Sequence, residues 1–224
     1  MKSPAHSLES LRRDLYSAVV CDALDQLGLQ HQSPRVSLSK TTWQAEPGNR
    51  VLVGRCRTMR WVDMHEIDPK PYELELRSVD ACQSDDVIVA ATGGSLRSGI
   101  WGELLTTAAM HRGCVGAIMD GAVRDVDKIA AMGFPVFALG TSPYDSLHRQ
   151  RVIEIDVPVE IDRVVFRPGD LVFADQDGVV VVPQKIEARV LDLALAKVNG
   201  ENKVRDAIRQ GMSATEAFNT YGVL

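Results

Sequence analysis

The sequence predicts a single mixed α/β (α+β) domain with helices on one side of its sheet. Two observations carry this expectation. In the middle of the chain, the apolar runs Val87–Ala91, Cys114–Met119 and Phe134–Leu139 alternate with the helical segments Gly102–Arg112 and Val126–Met132, the pattern of parallel strand–helix units. From Val152 onward, short β-branched runs are separated by turn residues, the pattern of hairpins. A chain of 224 residues, 45% apolar and 25% charged, is long enough to bury one sizeable core.

Taken in order, Ser7–Leu27 has helical periodicity and ends at Gly28. Ser7 is followed three positions later by Ser10 rather than an acid, so the N-terminal cap is imperfect. Asp22 and Asp25 lie on this helix and read as solvated. A polar loop, Gln30–Asn49, precedes the strand Val51–Asp63, which carries arginines on its outer face. His65–Lys70 is loop and Tyr72–Ala81 a short helix. Val87–Ala91 runs into Gly93-Gly94, either a turn or part of a ligand cradle.

In the second half, strands at Val152–Ile155, Val157–Ile161 and Val164–Phe166 lead to the turn Pro168-Gly169-Asp170. Leu171–Ala174 and Val179–Val182 then bracket a hairpin at Asp175–Gly178, where Asp177 reads as a turn residue. From Gln184 the chain is helical along Ile186, Val190 and Leu193, with an interruption expected at Asn199-Gly200 before Glu201–Ile208. Ser213–Glu216 forms a capping box for a last helix, and Tyr221–Leu224 is expected to dock.

Composition excludes several classes. The net charge of -5 comes without a basic cluster, which argues against direct nucleic-acid binding. No apolar run is long enough for a membrane span, and no signal peptide is evident. Cys21, Cys56, Cys82 and Cys114 have no C-x-x-C spacing and read as reduced, buried thiols of a cytoplasmic protein. The five histidines show no paired metal-ligand spacing, and His65, His111 and His148 read as solvated.

The candidate site lies between Gly93 and Gly140, where glycines, acids and an arginine fall at the ends of helices and strands. Gly102 opens a helix that stops at Gly113, so Glu103 sits in its first turn. Asp120-Gly121 is expected to end the next strand, placing Arg124 and Asp125 in a strand-to-helix connector. Arg13-Asp14 and Arg205-Asp206 repeat the dipeptide in charged helical surroundings and read as solvated faces. A guanidinium and carboxylates at such a junction suit binding of a carboxylate and stabilisation of an oxyanion with a hard cation. No lysine lies between residues 93 and 126 to form a Schiff base. The alternative is an ordinary Glu103–Arg124 ion pair bracing two helix starts.

Glu103, twenty intervening residues and Arg124-Asp125, together with Gly102-Glu103-Leu104-Leu105, Arg112-Gly113, Asp120-Gly121 and Pro135-Val136-Phe137, resemble the RraA-like family from about Leu15 to the C-terminus. That family includes class II aldolases acting on 4-hydroxy-4-methyl-2-oxoglutarate and 4-carboxy-4-hydroxy-2-oxoadipate, and also regulators that bind a ribonuclease. The resemblance implies a β/β/α swivelling-domain architecture, a homotrimer or homohexamer, and a 2-oxo acid substrate cleaved to pyruvate through an enolate. Oxaloacetate decarboxylation, which passes through the same enolate, is a second implied activity. It implies that Asp125 ligates Mg²⁺ or Mn²⁺, that Glu103 holds a metal-bound water, and that Arg124 clamps the pyruvyl carboxylate and enolate oxygen. Backbone N–H groups from Gly102 to Leu105, including Leu104, would bind substrate, and Glu201 would reach the metal of a neighbouring protomer. Many family aldolases carry Asp at the position of Glu103, a difference of one methylene.

Overall fold

The computed structural model describes residues 6–36, 38–40 and 51–222. In chain order the elements are α1 (Leu8–Asp14), α2 (Ser17–Gln26), β1 (Ser39–Lys40), β2 (Leu52–Asp63), α3 (Glu73–Asp80), β3 (Asp86–Ala91), β4 (Gly99–Trp101), α4 (Glu103–His111) and β5 (Gly116–Val123). They continue as α5 (Val126–Ala131), β6 (Val136–Thr141), β7 (Gln150–Ile155), β8 (Val159–Ile161), β9 (Val164–Phe166), β10 (Leu171–Ala174), β11 (Val179–Val182), α6 (Glu187–Arg209) and α7 (Ala214–Tyr221).

Among the described residues, nine strands form one mixed sheet in the order β1-β6-β5-β3-β2-β10-β11, with β4 beside β5 and β7 beside β2. β2, β3, β5 and β6 are parallel neighbours, whereas β10 and β11 form the antiparallel hairpin. β3, β5, β10 and β11 are Val-, Ile- and Ala-rich and almost wholly buried, as strands covered on both faces must be.

Strand alternation assigns the layers. Ile88 and Ala90 of β3 face a core shared with Val79 of α3, Ala109 of α4 and Ile129 of α5. Val87, Val89 and Ala91 point the opposite way, against Val159, Ile161, Val164 and Phe166 of the separate β8–β9 hairpin. Phe173 and Val180 pack under α1, α2 and α6, while Val172 and Val181 join the hairpin side. Small sheet, large sheet and helical layer thus stack in the expected β/β/α order, with the helices on one side.

Several local expectations differ. Ser7–Leu27 is two helices, broken at Leu15-Tyr16, and the Ser7 hydroxyl does cap, accepting from the Ser10 N–H at 3.1 Å. Within the expected Gln30–Asn49 loop, Ser39 and Lys40 pair with β6, and residues 41–49 lie outside the described residues. β5 continues through Asp120-Gly121 to Val123, because the buried Asp120 carboxylate accepts from the N–H groups of Thr92 and Gly94 and is satisfied in place. β4 is too short to be read from periodicity. α6 passes unbroken through Asn199-Gly200, anchored by buried Val190, Leu191 and Ala194 before them and Val204 after. The Ser213–Glu216 capping box forms, but Tyr221 is 40% exposed rather than docked, and Val223 and Leu224 lie outside the described residues. All four cysteines are free; Cys21 is only partly buried.

Candidate functional site

The site forms where β4 and β5 end beside the start of α4. The N–H of Arg124 donates to Trp101 O at 2.9 Å, fixing the two strand ends together. The Trp101 indole donates to the Thr106 hydroxyl at 2.8 Å, and that hydroxyl donates to Gly102 O at 3.0 Å, locking the first turn of α4 from beneath. Gly102 is needed for space: a Cβ there would lie 2.8 Å from Asp125 Oδ2 and 3.2 Å from Arg124 Cγ.

Asp125 stands at the N-cap position of α5, without a side-chain bond to that helix, at φ 56° and ψ 33°, a left-handed conformation that aspartate tolerates better than most residues. This backbone turn aims its carboxylate back at α4, where Oδ2 accepts from the Glu103 N–H at 3.1 Å. Among the described residues, the backbone N–H groups of Leu104 and Leu105 find no acceptor in the chain, as first-turn donors commonly do not. They are open to solvent or a ligand, and the positive end of the helix favours an anion there.

Arg124 makes no ion pair with Glu103, so the expected alternative of a bracing pair is not what the residues form. Arg124 Nη1 lies 2.7 Å from Asp145 Oδ2, and Nε lies 3.7 Å from Asp125 Oδ2. Asp145 also accepts from the Tyr72 hydroxyl at 2.6 Å and the Leu147 N–H at 2.7 Å. Burial opposes its charge, but the Tyr72 hydroxyl, the Leu147 N–H and Arg124 together hold its pKa below the ordinary value. Burial, reinforced by Asp145, pushes Tyr72 up to about 12. Asp145 is therefore a fixed anion that sets the guanidinium plane.

These groups line an open cleft of about 510 Å³ that also exposes Leu104, Leu105, Lys128 and Glu75. Glu75, on α3, is 6% exposed, and burial, then the charge of Asp145, raise it to about 8 despite the opposing pull of Arg124. Lys128 stands two positions beyond the lysine-free stretch of residues 93–126 and is exposed on α5. Tyr72, Glu75 and Asp145 were not singled out from sequence. They arrive from segments remote in the chain, and an acid in the first turn of a charged helix carries no distinguishing signal.

The other residues weighed in the sequence lie elsewhere. Gly93 and Gly94, with φ 68° and 81°, form a turn held by Asp120 and do not line the cleft. Asp22 pairs with Lys197 at 2.5 Å, Asp177 belongs to the β10–β11 turn, and His65, His111 and His148 are exposed away from the cleft. Glu201 does not stand free on the surface of α6: its side chain is 18% exposed and accepts from the Tyr16 hydroxyl at 2.5 Å. Burial, then this bond, raise Tyr16 to about 12.

Of the carboxylates lining the cleft, Asp145 is taken by Arg124 and Glu75 is buried, which leaves Asp125 and Glu103 as its hard oxygen donors. Among the described residues, no group of three or more His, Cys, Asp or Glu could enclose a metal ion. The pair suits a cation that keeps most of its own water, as Mg²⁺ does.

Fold and cleft together define a three-layer domain presenting an arginine and carboxylates beside a helix N-terminus. The chain belongs to the RraA-like family (Aldolase/RraA), whose model matches residues 17–181. A protein of Halalkalibacterium halodurans, named provisionally as a 4-hydroxy-4-methyl-2-oxoglutarate aldolase, is 29% identical over 92% of this chain and 90% of its own length. Protein DlpA of Legionella pneumophila is 27% identical over 92% of this chain but only 32% of its own length, so the chain spans about a third of that relative. The crystal structure of Streptomyces coelicolor RraAS2, described as an unusual member of the RNase ES inhibitor RraA protein family, superposes with a TM-score of 0.75. It is 28% identical, and the match covers 92% of this chain and 98% of that one. No helix among the described residues is long and apolar enough to cross a membrane.

Proposed function

We propose that the protein is a carbon–carbon lyase, a divalent-metal-dependent aldolase that releases pyruvate from 2-oxo-4-hydroxy di- or tricarboxylic acids. The observation that carries this reading is the convergence of Arg124, Asp125, Glu103 and the free first-turn N–H groups of α4 on one cleft. The aldolase names of relatives support the lyase class.

Asp125, with Glu103 through water, would hold Mg²⁺ or Mn²⁺, which when bound supplies a Lewis acid for the 2-oxo group. The remaining work belongs to the chain. The N–H groups of Leu104 and Leu105 bind the pyruvyl carboxylate. Arg124, with Asp145 holding its plane, presents planar donors to the oxygen that gains charge when the C3–C4 bond breaks. The Glu103 carboxylate accepts the proton of the 4-hydroxyl through a water molecule. Oxaloacetate, whose decarboxylation leaves the same enolate, is a second substrate on this reading.

The cleft is open, and Leu104 at its rim is 76% exposed. A neighbouring protomer in a trimer or hexamer would close it. Glu201, whose Oε2 accepts from the Tyr16 hydroxyl, would serve that neighbour. Pyruvate release from a small panel of 2-oxo-4-hydroxy acids and oxaloacetate, with Mg²⁺, Mn²⁺ or a chelator, tests the reading. Metal-dependent release is expected, and no release from any panel member with either metal rejects it.

A further inference from the structure

We propose that Glu75 is the proton donor that turns the enolate left by C3–C4 cleavage into the methyl group of pyruvate. The proposal rests on the aldolase reading above, which leaves C3 as a carbanion equivalent and so requires an acid on that side of the substrate.

Three observations point to Glu75. Its side chain lines the cleft that holds Arg124 and Asp125. It is 6% exposed, yet no described residue donates a hydrogen bond to it or pairs with it. Buried acids without partners are rare, and one facing a ligand cleft needs a reason to persist. The charges that act on it, Asp145 and Arg124, belong to the same cleft, and Asp145 is already committed to Arg124, Tyr72 and Leu147.

Burial and the neighbouring Asp145 carboxylate keep Glu75 largely protonated at neutral pH. A neutral carboxyl is what C3 needs at that point, and an ordinary exposed glutamate would have released its proton. The step balances. The 4-hydroxyl proton leaves to Glu103 through water, and the C3–C4 electron pair moves into the enolate as C4 becomes a carbonyl. The enolate then takes the Glu75 proton at C3. Glu75 is left as a carboxylate, and solvent returns the proton from Glu103 to it. In reverse, the Glu75 carboxylate removes a proton from the methyl group of bound pyruvate.

That reverse step gives a test that needs no aldol cleavage. Wild-type and Glu75→Gln protein, each with Mn²⁺ or Mg²⁺ at saturation, are incubated with pyruvate in D₂O, and loss of the methyl signal is followed by proton NMR. Binding of oxalate, a planar mimic of the pyruvate enolate, is measured alongside by calorimetry. Wild type should exchange the methyl protons, and Glu75→Gln should do so ~10²-fold more slowly while binding oxalate within about threefold of wild type. Exchange by the variant within threefold of wild type overturns the role of Glu75 and leaves the aldolase reading standing. Loss of oxalate binding together with exchange makes Glu75 a positioning residue and also overturns the proposal. Absence of exchange in the wild type sinks the aldolase reading itself, and the proposal with it.

Discussion

Glu75→Gln should also change how stability depends on pH, and this expectation is independent of any activity. The Glu75 carboxyl gives up its proton near 4.5 in the unfolded chain but near 8 in the folded protein. Between those values the folded state binds more protons, so stability is full below about pH 4.5, falls as pH rises, and levels off above about 8. At 1.36 kcal/mol per tenfold change in proton affinity, the full loss is roughly 4–5 kcal/mol, an upper figure for a side chain this buried. Glutamine cannot ionise, so the variant lacks this decline while all other titrations are shared. Urea unfolding of both proteins from pH 4.5 to 9 is the assay. The variant should match wild type or fall slightly below it at pH 4.5 and exceed it by several kcal/mol at pH 9. A difference that stays constant within about 1 kcal/mol across that range would show that Glu75 ionises at an ordinary value, and the account of its burial would fail.

Three further outcomes are expected. Arg124→Lys keeps the charge but loses the planar fork set by Asp145, so kcat/KM should fall by ~10² or more; near-normal kinetics would make Arg124 structural. Gly102→Ala meets no backbone obstacle, since φ is -149°, but its methyl would lie 2.8 Å from Asp125 Oδ2. It should cost at least ~10-fold in activity with about 1–2 kcal/mol of stability, and an unchanged kcat would show that Asp125 need not hold its place. Mixed oligomers of inactive Asp125→Ala and inactive Glu201→Ala subunits should regain partial activity. Full activity of Glu201→Ala alone, or an active monomer in sedimentation, would remove the shared-site arrangement.

Elements with a strong period were legible in the sequence. The β10–β11 hairpin and the helices α4 and α5 fall where alternation, Gly113 and Gly133 place them. Legibility failed where a tertiary partner overrode a local signal. Asp120-Gly121 reads as a turn, yet Asp120 is bonded to Thr92 and Gly94 and the strand runs on. Asn199-Gly200 weakens a helix, but α6 is held by buried side chains on both sides of the pair. At the cleft, the proximity of Glu103, Arg124 and Asp125 was legible because a local strand–helix junction brings them together. Glu75, Tyr72 and Asp145 could not, since α3 and the loop after β6 reach the cleft only through the folding of the sheet.

Oxalate binding tests the central claim most directly, because it asks whether this cleft holds a metal and an enolate-shaped dianion together. Calorimetric titration would compare wild type with Mn²⁺, wild type with chelator, and Asp125→Ala and Arg124→Ala with Mn²⁺. Tight binding to metal-loaded wild type, lost on chelation and in both variants, is the predicted result. Oxalate binding that is indifferent to the metal, or undiminished in Asp125→Ala, would contradict it.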